Sequence, residues 1–293
     1  MPSIMSDLNL QEIHDFLIAV AKKAGEMITT ARPTTVAAGE KKNSADLVTE
    51  TDQAVEKMVS TTLKEKYPDF AFMGEETYKP GDRLTAAPTF IVDPIDGTTN
   101  FVHGYPYVSI SLGLAVEHKP TVGVVFNPFT QTLYSAIKGR GAFLNHTTPL
   151  PLRDPEPLRQ LDSAVVCVEW GSERTGNDYK VKSETFRKLC ASKEDGGAMV
   201  HGLRSFGSAA LNLCGVASGA LDLYWEGGCW AWDVCAGWVI LTEAGGLIVD
   251  GNPGNWEQSV DGRRYLAVRK GEGQKAMVEE FWGWIQGKME VGI

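Results

Sequence analysis

The stretch that decides the fold reads Ile91-Val92-Asp93-Pro94-Ile95-Asp96-Gly97-Thr98-Thr99-Asn100-Phe101. It begins as an apolar run typical of a buried strand, and it then places two carboxylates, Asp93 and Asp96, at the end of that strand. Pro94 fixes its own φ and lacks an N–H group, so the chain is expected to turn there and to leave the carbonyl of Ile95 available. The stretch therefore predicts a set of oxygen ligands for a divalent cation.

An anion site is predicted beside these ligands. Gly97 allows the backbone to approach a ligand closely, and Thr98-Thr99 can begin a helix whose first N–H groups suit a phosphate. The ordinary alternative is an Asp-Gly turn with capping aspartates, and for an isolated D-x-x-D-G pattern that alternative is the better one. The choice between them depends on the rest of the chain.

Three further motifs occur in a fixed order around this stretch: Asp46-Leu47-Val48-Thr49-Glu50-Thr51-Asp52 with Gly74-Glu75-Glu76 upstream, then Trp232-Asp233-Val234-Cys235-Ala236-Gly237, and finally Thr242-Glu243-Ala244-Gly245-Gly246. With DPIDGTTNF they resemble the signatures of the inositol monophosphatase family, which are magnesium-dependent, lithium-sensitive phosphatases. The resemblance runs from about Leu8 to Arg269. Each motif alone is only suggestive, but four in order make coincidence very unlikely.

Composition sets limits on the function. The 293 residues are 43% hydrophobic and 22% charged, as in a soluble globular protein, and no long linker divides them, so a single domain over residues 1–293 is expected. The net charge of -9 argues against nucleic acid as a partner and suits a cation-loaded site. Five cysteines without metal-ligand spacing, no signal peptide and no apolar run of about 20 residues predict a cytoplasmic protein with reduced thiols and no membrane association.

The first half of the chain predicts two helices followed by strands. Helical spacing covers Asp7 to Ala31, and a second helix begins at Thr51 with Asp52 in its first turn, where a carboxylate also favours the helix dipole. A strand at Phe70–Met73 ends at Glu75 and Glu76, of which Glu75 is the stronger ligand candidate and Glu76 a candidate for a solvated neighbour. Antiparallel strands are predicted over residues 108–116, 121–127 and 132–137, with a tight hairpin at 139–143.

The second half mixes both types of element. Strands are predicted over residues 163–168, 198–201, 247–250 and 264–268, and helices around 182–189, over 208–217 and near 277–285. A β-rich run carries Glu226 into Gly227-Gly228, and Asp233 stands where a helix begins, in the position of an N-cap. These elements are consistent with an α+β protein. The resemblance implies more, namely the layered α-β-α-β-α sandwich of the inositol monophosphatase and fructose-1,6-bisphosphatase type, and a homodimer.

The resemblance also implies roles for individual residues. One Mg²⁺ would be held by Glu75, Asp93 and the Ile95 carbonyl, a second by Asp93, Asp96 and Asp233, and a third, weaker ion would lie near Glu75. Thr98, hydrogen-bonded to Asp52, would orient the attacking water, and the N–H groups of Gly97 and Thr98 would bind phosphate. Substrate hydroxyls would be bound by Glu226, the backbone around Ala209 and Asp96. Lys41, or Lys42 if the match shifts by one residue, would be a polar neighbour.

Magnesium explains why carboxylates recur, because Mg²⁺ takes oxygen ligands and keeps several waters. Zinc would call for histidine or cysteine at short spacing, and the five histidines form no such group. The resemblance implies hydrolysis of myo-inositol monophosphate, and the lack of lysine and arginine between Leu221 and Asp233, around Glu226, favours a monophosphate over a bisphosphate or a nucleotide. Two alternatives stay open: a phosphatase for histidinol phosphate, a sugar bisphosphate or an adenosine bisphosphate, or a non-catalytic sensor of inositol or quinate-type metabolites.

Overall fold

The computed structural model describes residues 8–32, 39–40 and 47–291. Lys41, Lys42 and Asp46, which the sequence singled out, lie outside the described residues. The helices within the described ranges are α1 (Leu10–Thr30), α2 (Glu50–Lys66), α3 (Thr98–His103), α4 (Gly176–Cys190), α5 (Ala209–Ser218), α6 (Ala231–Glu243) and α7 (Gln274–Trp284).

Two large sheets and one two-stranded ribbon account for the strands. The ribbon pairs β1 (Gly39–Glu40) with β2 (Leu47–Val48). The seven-stranded sheet contains, in spatial order, β3 (Ala71–Gly74), β4 (Thr89–Asp96), β5 (Ser109–Val116), β6 (Lys119–Asn127), β7 (Thr132–Ile137), β8 (Ala142–Leu144) and β9 (Thr148–Pro149). The five-stranded sheet has the order β11 (Gly202–Arg204), β10 (Val165–Val168), β12 (Leu223–Gly227), β14 (Arg264–Val268) and β13 (Leu247–Asp250).

The elements stack in five layers. Helices α1 and α2 bury their apolar stripes against one face of the seven-stranded sheet, where Phe90 and Val92 of β4 meet Leu17 and Val59. The opposite face, represented by Ile91, packs on α5 and α6, which also contact the inner face of the five-stranded sheet. The outer face of that second sheet is covered by α4 and α7. The chain therefore has the predicted α-β-α-β-α architecture.

Helix α6 lies very close to the seven-stranded sheet because the sheet presents glycines to it. A Cβ atom at Gly113 would lie 2.5 Å from Sγ of Cys235, and one at Gly123 would collide with the backbone of Ala236. Glycine at these positions removes the side chain that would hold the helix away, so the backbones approach closely. The N-terminal end of α6 is thereby placed beside the end of β4.

Most predicted elements are confirmed, and their bounds differ locally. The strand expected at residues 198–201 is wrong: pairing begins only at Gly202. The reason is that the N–H groups of Ala198, Met199 and Val200 donate to carbonyls at the end of α4, so this stretch closes that helix instead of joining a sheet. Helix α4 itself begins at Gly176, six residues or about 1.7 turns before the predicted segment 182–189, and Asp178 and Val181 in this added part are buried.

Candidate active site

Strand β4 carries two of the predicted ligands into the interior. All eight of its residues are buried, and its pairing with β5 shifts register between Asp93 and Asp96. In a regular strand, residues three apart point to opposite faces, so Asp93 and Asp96 would be separated. The irregularity around Pro94, which lacks the N–H group that a ladder needs, brings both carboxylates to one side. The predicted turn is thus a bulge within the strand.

Asp233 completes a group of three carboxylates. One oxygen from each of Asp93, Asp96 and Asp233 lies within 4.8 Å of the others. Burial, followed by the charge of Glu75, raises the pKa values of Asp93 and Asp233 well above the usual range, and burial raises the pKa of Asp96 to about 6. Acids that resist ionisation together in this way are suited to a cation, and their all-oxygen donor set fits a hard ion such as Mg²⁺.

Glu75 and Ile95 stand at the edge of this group. Glu75 follows β3 directly and donates its N–H to the Val92 carbonyl at 3.2 Å, and after burial its charge is the largest cause of the raised pKa of Asp93. The N–H of Ile95 donates to Oδ1 of Asp93 at 2.9 Å, which fixes the orientation of that carboxylate. The carbonyl of Ile95 accepts the Thr98 hydroxyl at 3.0 Å, so in this structure it already has a donor.

Asp96 joins the two halves of the molecule. Its Oδ1 accepts the N–H of Ala209 at 3.2 Å, and its Oδ2 accepts the N–H of Ala210 at 2.9 Å and the hydroxyl of Ser208. These groups form the N-terminal end of α5, whose dipole favours a negative charge. The Ala209 N–H, predicted to be near substrate hydroxyls, is therefore directed at Asp96 in this structure.

Thr98 and Asp52 form the second predicted pair. Thr98 is the first residue of α3, and Gly97 before it has a φ of 95°. A Cβ at Gly97 would lie 3.0 Å from the Tyr107 carbonyl, so the turn needs glycine. The Thr98 hydroxyl lies 3.0 Å from Oδ1 of Asp52. The two predicted partners are thus within hydrogen-bonding distance, although they stand on different helices.

The surroundings of Asp52 explain why Oδ1 faces Thr98. Thr49 is the N-cap of α2, and Oδ2 of Asp52 accepts both its N–H, at 2.9 Å, and its hydroxyl. This capping box uses one carboxylate oxygen and directs the other toward α3. Burial raises the pKa of Asp52, and the hydrogen bonds from Thr49 and Thr98 work in the opposite direction.

The position of Asp233 corrects one prediction. The N-cap of α6 is Trp230, and Asp233 is the third residue of the helix, so the N-cap assignment is wrong. Its Oδ2 accepts the Trp230 N–H at 2.6 Å from one turn earlier. The carboxylate still accepts an N–H group at the start of α6, but it does so from the third position of the helix. From there its oxygen also lies within 4.8 Å of oxygens of Asp93 and Asp96.

Glu226 lines a cavity of about 100 Å³ together with Asp233. Burial, and next the charge of Glu169, raises the pKa of Glu226 to about 7, while the Tyr224 hydroxyl donates to its Oε2. Two basic side chains line the same cavity, Lys182 and Arg263. The predicted absence of basic residues holds for the segment between Leu221 and Asp233 but is wrong for the pocket, because these two come from distant parts of the chain.

Both basic side chains are held by backbone carbonyls. Lys182 is buried and donates to the carbonyls of Trp170 and Gly227 at 3.0 and 2.8 Å. Arg263 donates to the Gly228 carbonyl at 3.0 Å and stacks 3.6 Å above the ring of Trp230. No local motif marks either residue, since a lysine within a polar helix and an arginine beside a strand are ordinary surface patterns.

Glu169 is another residue that the sequence did not reveal. It follows β10, is buried, and accepts the N–H groups of Phe206 and Gly207 at 2.6 and 2.8 Å, with the Asn212 amide at 2.9 Å. It therefore fixes the loop that leads into α5 and hence the donors that reach Asp96. The apolar run before Glu169 predicts a strand, but no feature of the sequence indicates that loop as its partner.

The description of the matching family model is "Inositol monophosphatase family", and it matches residues 9–286. The chain belongs to the inositol monophosphatase family. It is 48% identical over 291 residues to inositol monophosphatase 2 of Saccharomyces cerevisiae, covering 96% of this chain and 97% of that protein. It is 38% identical over 318 residues to quinic acid degradation cluster protein x of Neurospora crassa, with 93% of each chain covered.

A solved structure supports the same conclusion. The extragenic suppressor protein suhB of Bartonella henselae aligns with a TM-score of 0.75 and 28% identity, covering 94% of this chain and 100% of that one. Membership in the inositol monophosphatase family implies dependence on a divalent metal, and the group formed by Asp93, Asp96 and Asp233 is a fitting place for it. Across the described ranges, no helix is both long and apolar enough to cross a membrane.

Proposed function

We propose that this protein hydrolyses myo-inositol monophosphates to myo-inositol and phosphate in the presence of Mg²⁺. The observation that carries the proposal is the convergence of Asp93, Asp96 and Asp233 within 4.8 Å, beside the Thr98–Asp52 pair. An acidic group of this kind binds cations, and a hydroxyl paired with a buried carboxylate can accept and pass on a proton. Together they provide what hydrolysis of a phosphate monoester needs.

We assign the cation ligands as follows. Glu75, Asp93 and the Ile95 carbonyl would hold one Mg²⁺, Asp93, Asp96 and Asp233 would hold a second, and a third, weaker ion would lie near Glu75. When bound, Mg²⁺ supplies the positive charge that lowers the pKa of a water molecule and neutralises the departing alkoxide. The bonds from Ile95 N–H to Asp93 and from Ala209 and Ala210 to Asp96 orient these ligands beforehand.

Thr98 and Asp52 would accept the proton of the attacking water. The Thr98 hydroxyl has one hydrogen and two acceptors in reach, Asp52 Oδ1 and the Ile95 carbonyl, each at 3.0 Å. When the hydrogen is directed to Asp52, the lone pairs of Thr98 would accept a hydrogen bond from the attacking water. The N–H groups of Gly97 and Thr98 at the start of α3 bind the phosphate oxygens.

The alcohol occupies the cavity next to Asp233. Glu226 would accept hydrogen bonds from ring hydroxyls there, and we propose that Asp96 and the backbone around Ala209 also contact the alcohol. Lys182 and Arg263 already donate to backbone carbonyls, so a second phosphate would have to displace those hydrogen bonds. A polyhydroxylated monophosphate is therefore the favoured substrate.

The decisive experiment is a steady-state assay with Mg²⁺ against a panel of inositol monophosphates, histidinol phosphate, a sugar bisphosphate and an adenosine bisphosphate. The highest kcat/KM is expected for an inositol monophosphate, with no turnover after chelation. A higher kcat/KM for any other member of the panel would replace the proposed substrate, and absence of turnover on all of them would favour the sensor alternative. The presence of Glu75, Asp93, Asp96 and Asp233 speaks for catalysis.

The contact with the alcohol has its own test. Glu226→Gln should lower kcat/KM for inositol 1-phosphate more than for glycerol 2-phosphate. The inositol ring holds its hydroxyls in a fixed arrangement, whereas the two hydroxyls of glycerol 2-phosphate rotate freely. Hydrogen bonds to a charged group are worth about 1.5–3 kcal/mol each, which corresponds to roughly a 10- to 150-fold loss. Equal losses on both substrates would mean that Glu226 does not read the ring.

The cellular form belongs to the same proposal. We propose a cytoplasmic homodimer in which residues 1–293 form one domain, since α6 packs against both large sheets. Light scattering at several protein concentrations tests the dimer. A concentration-independent mass near 31.9 kDa would show a monomer instead.

A further inference from the structure

Helix α2 carries a second buried carboxylate that the proposed chemistry does not use. Glu56 stands one turn after Asp52, on the same face of the helix, and only 1% of it is exposed. Burial is the largest influence on Glu56 and raises its pKa. The Glu76 N–H and the Thr77 groups lower this pKa by less, and the charge of Glu76 raises it. A buried acid is costly to keep unless it makes specific contacts.

The contacts of Glu56 lie on both sides of Glu75. Its Oε2 accepts the N–H of Glu76 at 2.7 Å. On the other side, a Cβ at Gly74 would lie 2.5 Å from the same oxygen, so the backbone there is packed directly against the carboxylate. Segment 74–76, which places Glu75 near Asp93, is thus fixed by a hydrogen bond and a packing contact with one side chain of α2, that of Glu56.

The second oxygen of Glu56 is not used to hold segment 74–76. Oε1 is buried and accepts no hydrogen bond from the part of the chain that the structure describes. An acceptor left in this way costs about 1–3 kcal/mol, and an apolar side chain of the same length would avoid the cost.

We propose that Glu56 is a positioning residue for the first cation: by binding the Glu76 N–H it fixes segment 74–76 so that the Glu75 carboxylate faces Asp93. The inference rests on the proposed function for the assignment of Glu75 as a ligand. Partners that orient a metal ligand typically change metal affinity by about 10- to 100-fold when they are removed. Glu56 acts through the turn and touches neither substrate nor cation.

Three variants of the whole protein test the assignment by direct binding of Mn²⁺, followed through the electron paramagnetic resonance signal of the free ion in the absence of substrate. Glu56→Met removes the acceptor at similar length and should weaken Mn²⁺ binding by about 10- to 100-fold. Glu56→Gln keeps an acceptor for the Glu76 N–H and should stay within about threefold of the original protein. Gly74→Ala places a Cβ 2.5 Å from Oε2 of Glu56 and 2.7 Å from the Phe72 ring, so it should displace the turn and resemble Glu56→Met.

Asp178 provides a matched control. It is a buried carboxylate on α4, the helix that covers the outer face of the five-stranded sheet, and it accepts the backbone N–H of Glu290 at 2.7 Å. Asp178→Leu should lower the melting temperature without changing Mn²⁺ affinity. A folded Glu56→Met or Gly74→Ala protein that binds Mn²⁺ like the original, or equal weakening by Glu56→Gln and Glu56→Met, would overturn the inference. If Glu56→Met does not fold, Gly74→Ala decides.

The inference and the proposed function fail in different ways. An original protein that binds Mn²⁺ and hydrolyses no inositol phosphate would overturn the substrate proposal and leave the role of Glu56 testable by the same titration. An original protein that binds no Mn²⁺ would overturn both. Normal Mn²⁺ binding by folded Glu56→Met, with hydrolysis intact in the original protein, would overturn the positioning role alone.

Discussion

Replacing Asp93 by asparagine should make the metal-free protein more stable and the magnesium-loaded protein inactive. Oxygens of Asp93, Asp96 and Asp233 lie within 4.8 Å of one another. At that separation and an effective dielectric constant near 20, two ionised carboxylates repel each other by about 3.5 kcal/mol. Asp93 takes part in two of the three pairs, so with all three ionised it accounts for about 7 kcal/mol of repulsion.

Part of that repulsion is relieved by proton uptake, and the net effect depends on pH. Because burial raises the pKa of Asp93, its contribution to stability is complete below the ordinary aspartate range and is lost as pH rises through the raised value. At pH 8 in EDTA, we expect Asp93→Asn to gain on the order of 2 kcal/mol in the free energy of unfolding, or about 4 °C or more in melting temperature. Asparagine keeps an oxygen for the Ile95 N–H, so that hydrogen bond survives.

Magnesium should reverse the order. A ligand at 100 times its Kd stabilises the native state by about 2.7 kcal/mol, and the original protein should gain this while Asp93→Asn gains little. Calorimetric melting of both proteins in EDTA and in Mg²⁺ measures the crossing, and phosphate release measures turnover. Asp250 is also buried, but it is paired with Arg264 at 3.2 Å, so Asp250→Asn should lose stability under both conditions. Lower stability of Asp93→Asn in EDTA, or its full turnover in Mg²⁺, would refute the reasoning.

Three further predictions concern inhibition, proton transfer and pH. Millimolar Li⁺ should inhibit by replacing the second Mg²⁺ after the alcohol leaves, so steady-state kinetics should show uncompetitive inhibition; a rise in KM with kcat unchanged would contradict this. Thr98→Ala should lower kcat by about 10²- to 10⁴-fold while Thr98→Ser retains most of it, because serine keeps the hydroxyl bonded to Asp52; equal losses would show that the hydroxyl is not required. The pKa of Glu226 is about 7 in the folded protein, so its stabilising contribution is complete below about pH 4.5 and is lost as the pH rises through 7. Glu226→Gln should therefore raise the free energy of unfolding of the metal-free protein by up to about 3 kcal/mol at pH 8 and hardly at all at pH 4. Thermal melting at both pH values checks the difference.

Local features of the chain predicted much of the fold because they follow from short-range rules. The apolar spacing of α1, the first turn of α2 with Asp52, and the antiparallel run from β5 to β7 all appear where the periodicity indicates. The five-layer stacking came only with the resemblance to a family, since periodicity does not say which sheet a helix covers. The wrong prediction of a strand near Ala198 shows the same limit. The N–H groups of this segment donate to carbonyls at the end of α4, and the spacing of apolar residues does not reveal that contact.

The site divides in the same way. Asp93 and Asp96 were predictable from one strand, because an apolar run followed by two carboxylates around a proline is a local pattern. The approach of Asp233, Lys182 and Arg263 depends on tertiary packing, and for the two basic residues no spacing in the sequence indicates a common cavity. The second role of Asp96, as acceptor for the start of α5, was equally hidden, although Ser208 was recognised as the beginning of a helix.

The seating of α6 on Gly113 and Gly123 has a consequence for synthesis on the ribosome. Every strand of the seven-stranded sheet, from β3 to β9, is translated before α6, so a nascent chain can pair these strands while the face that contains Asp93 is still uncovered. Asp233 arrives only with α6, when the helix backbone fits against the two glycines. Incomplete chains therefore hold at most part of the cation site. Binding of a cation to the complete site therefore requires that the seven-stranded sheet and α6 have both been synthesised and have packed together.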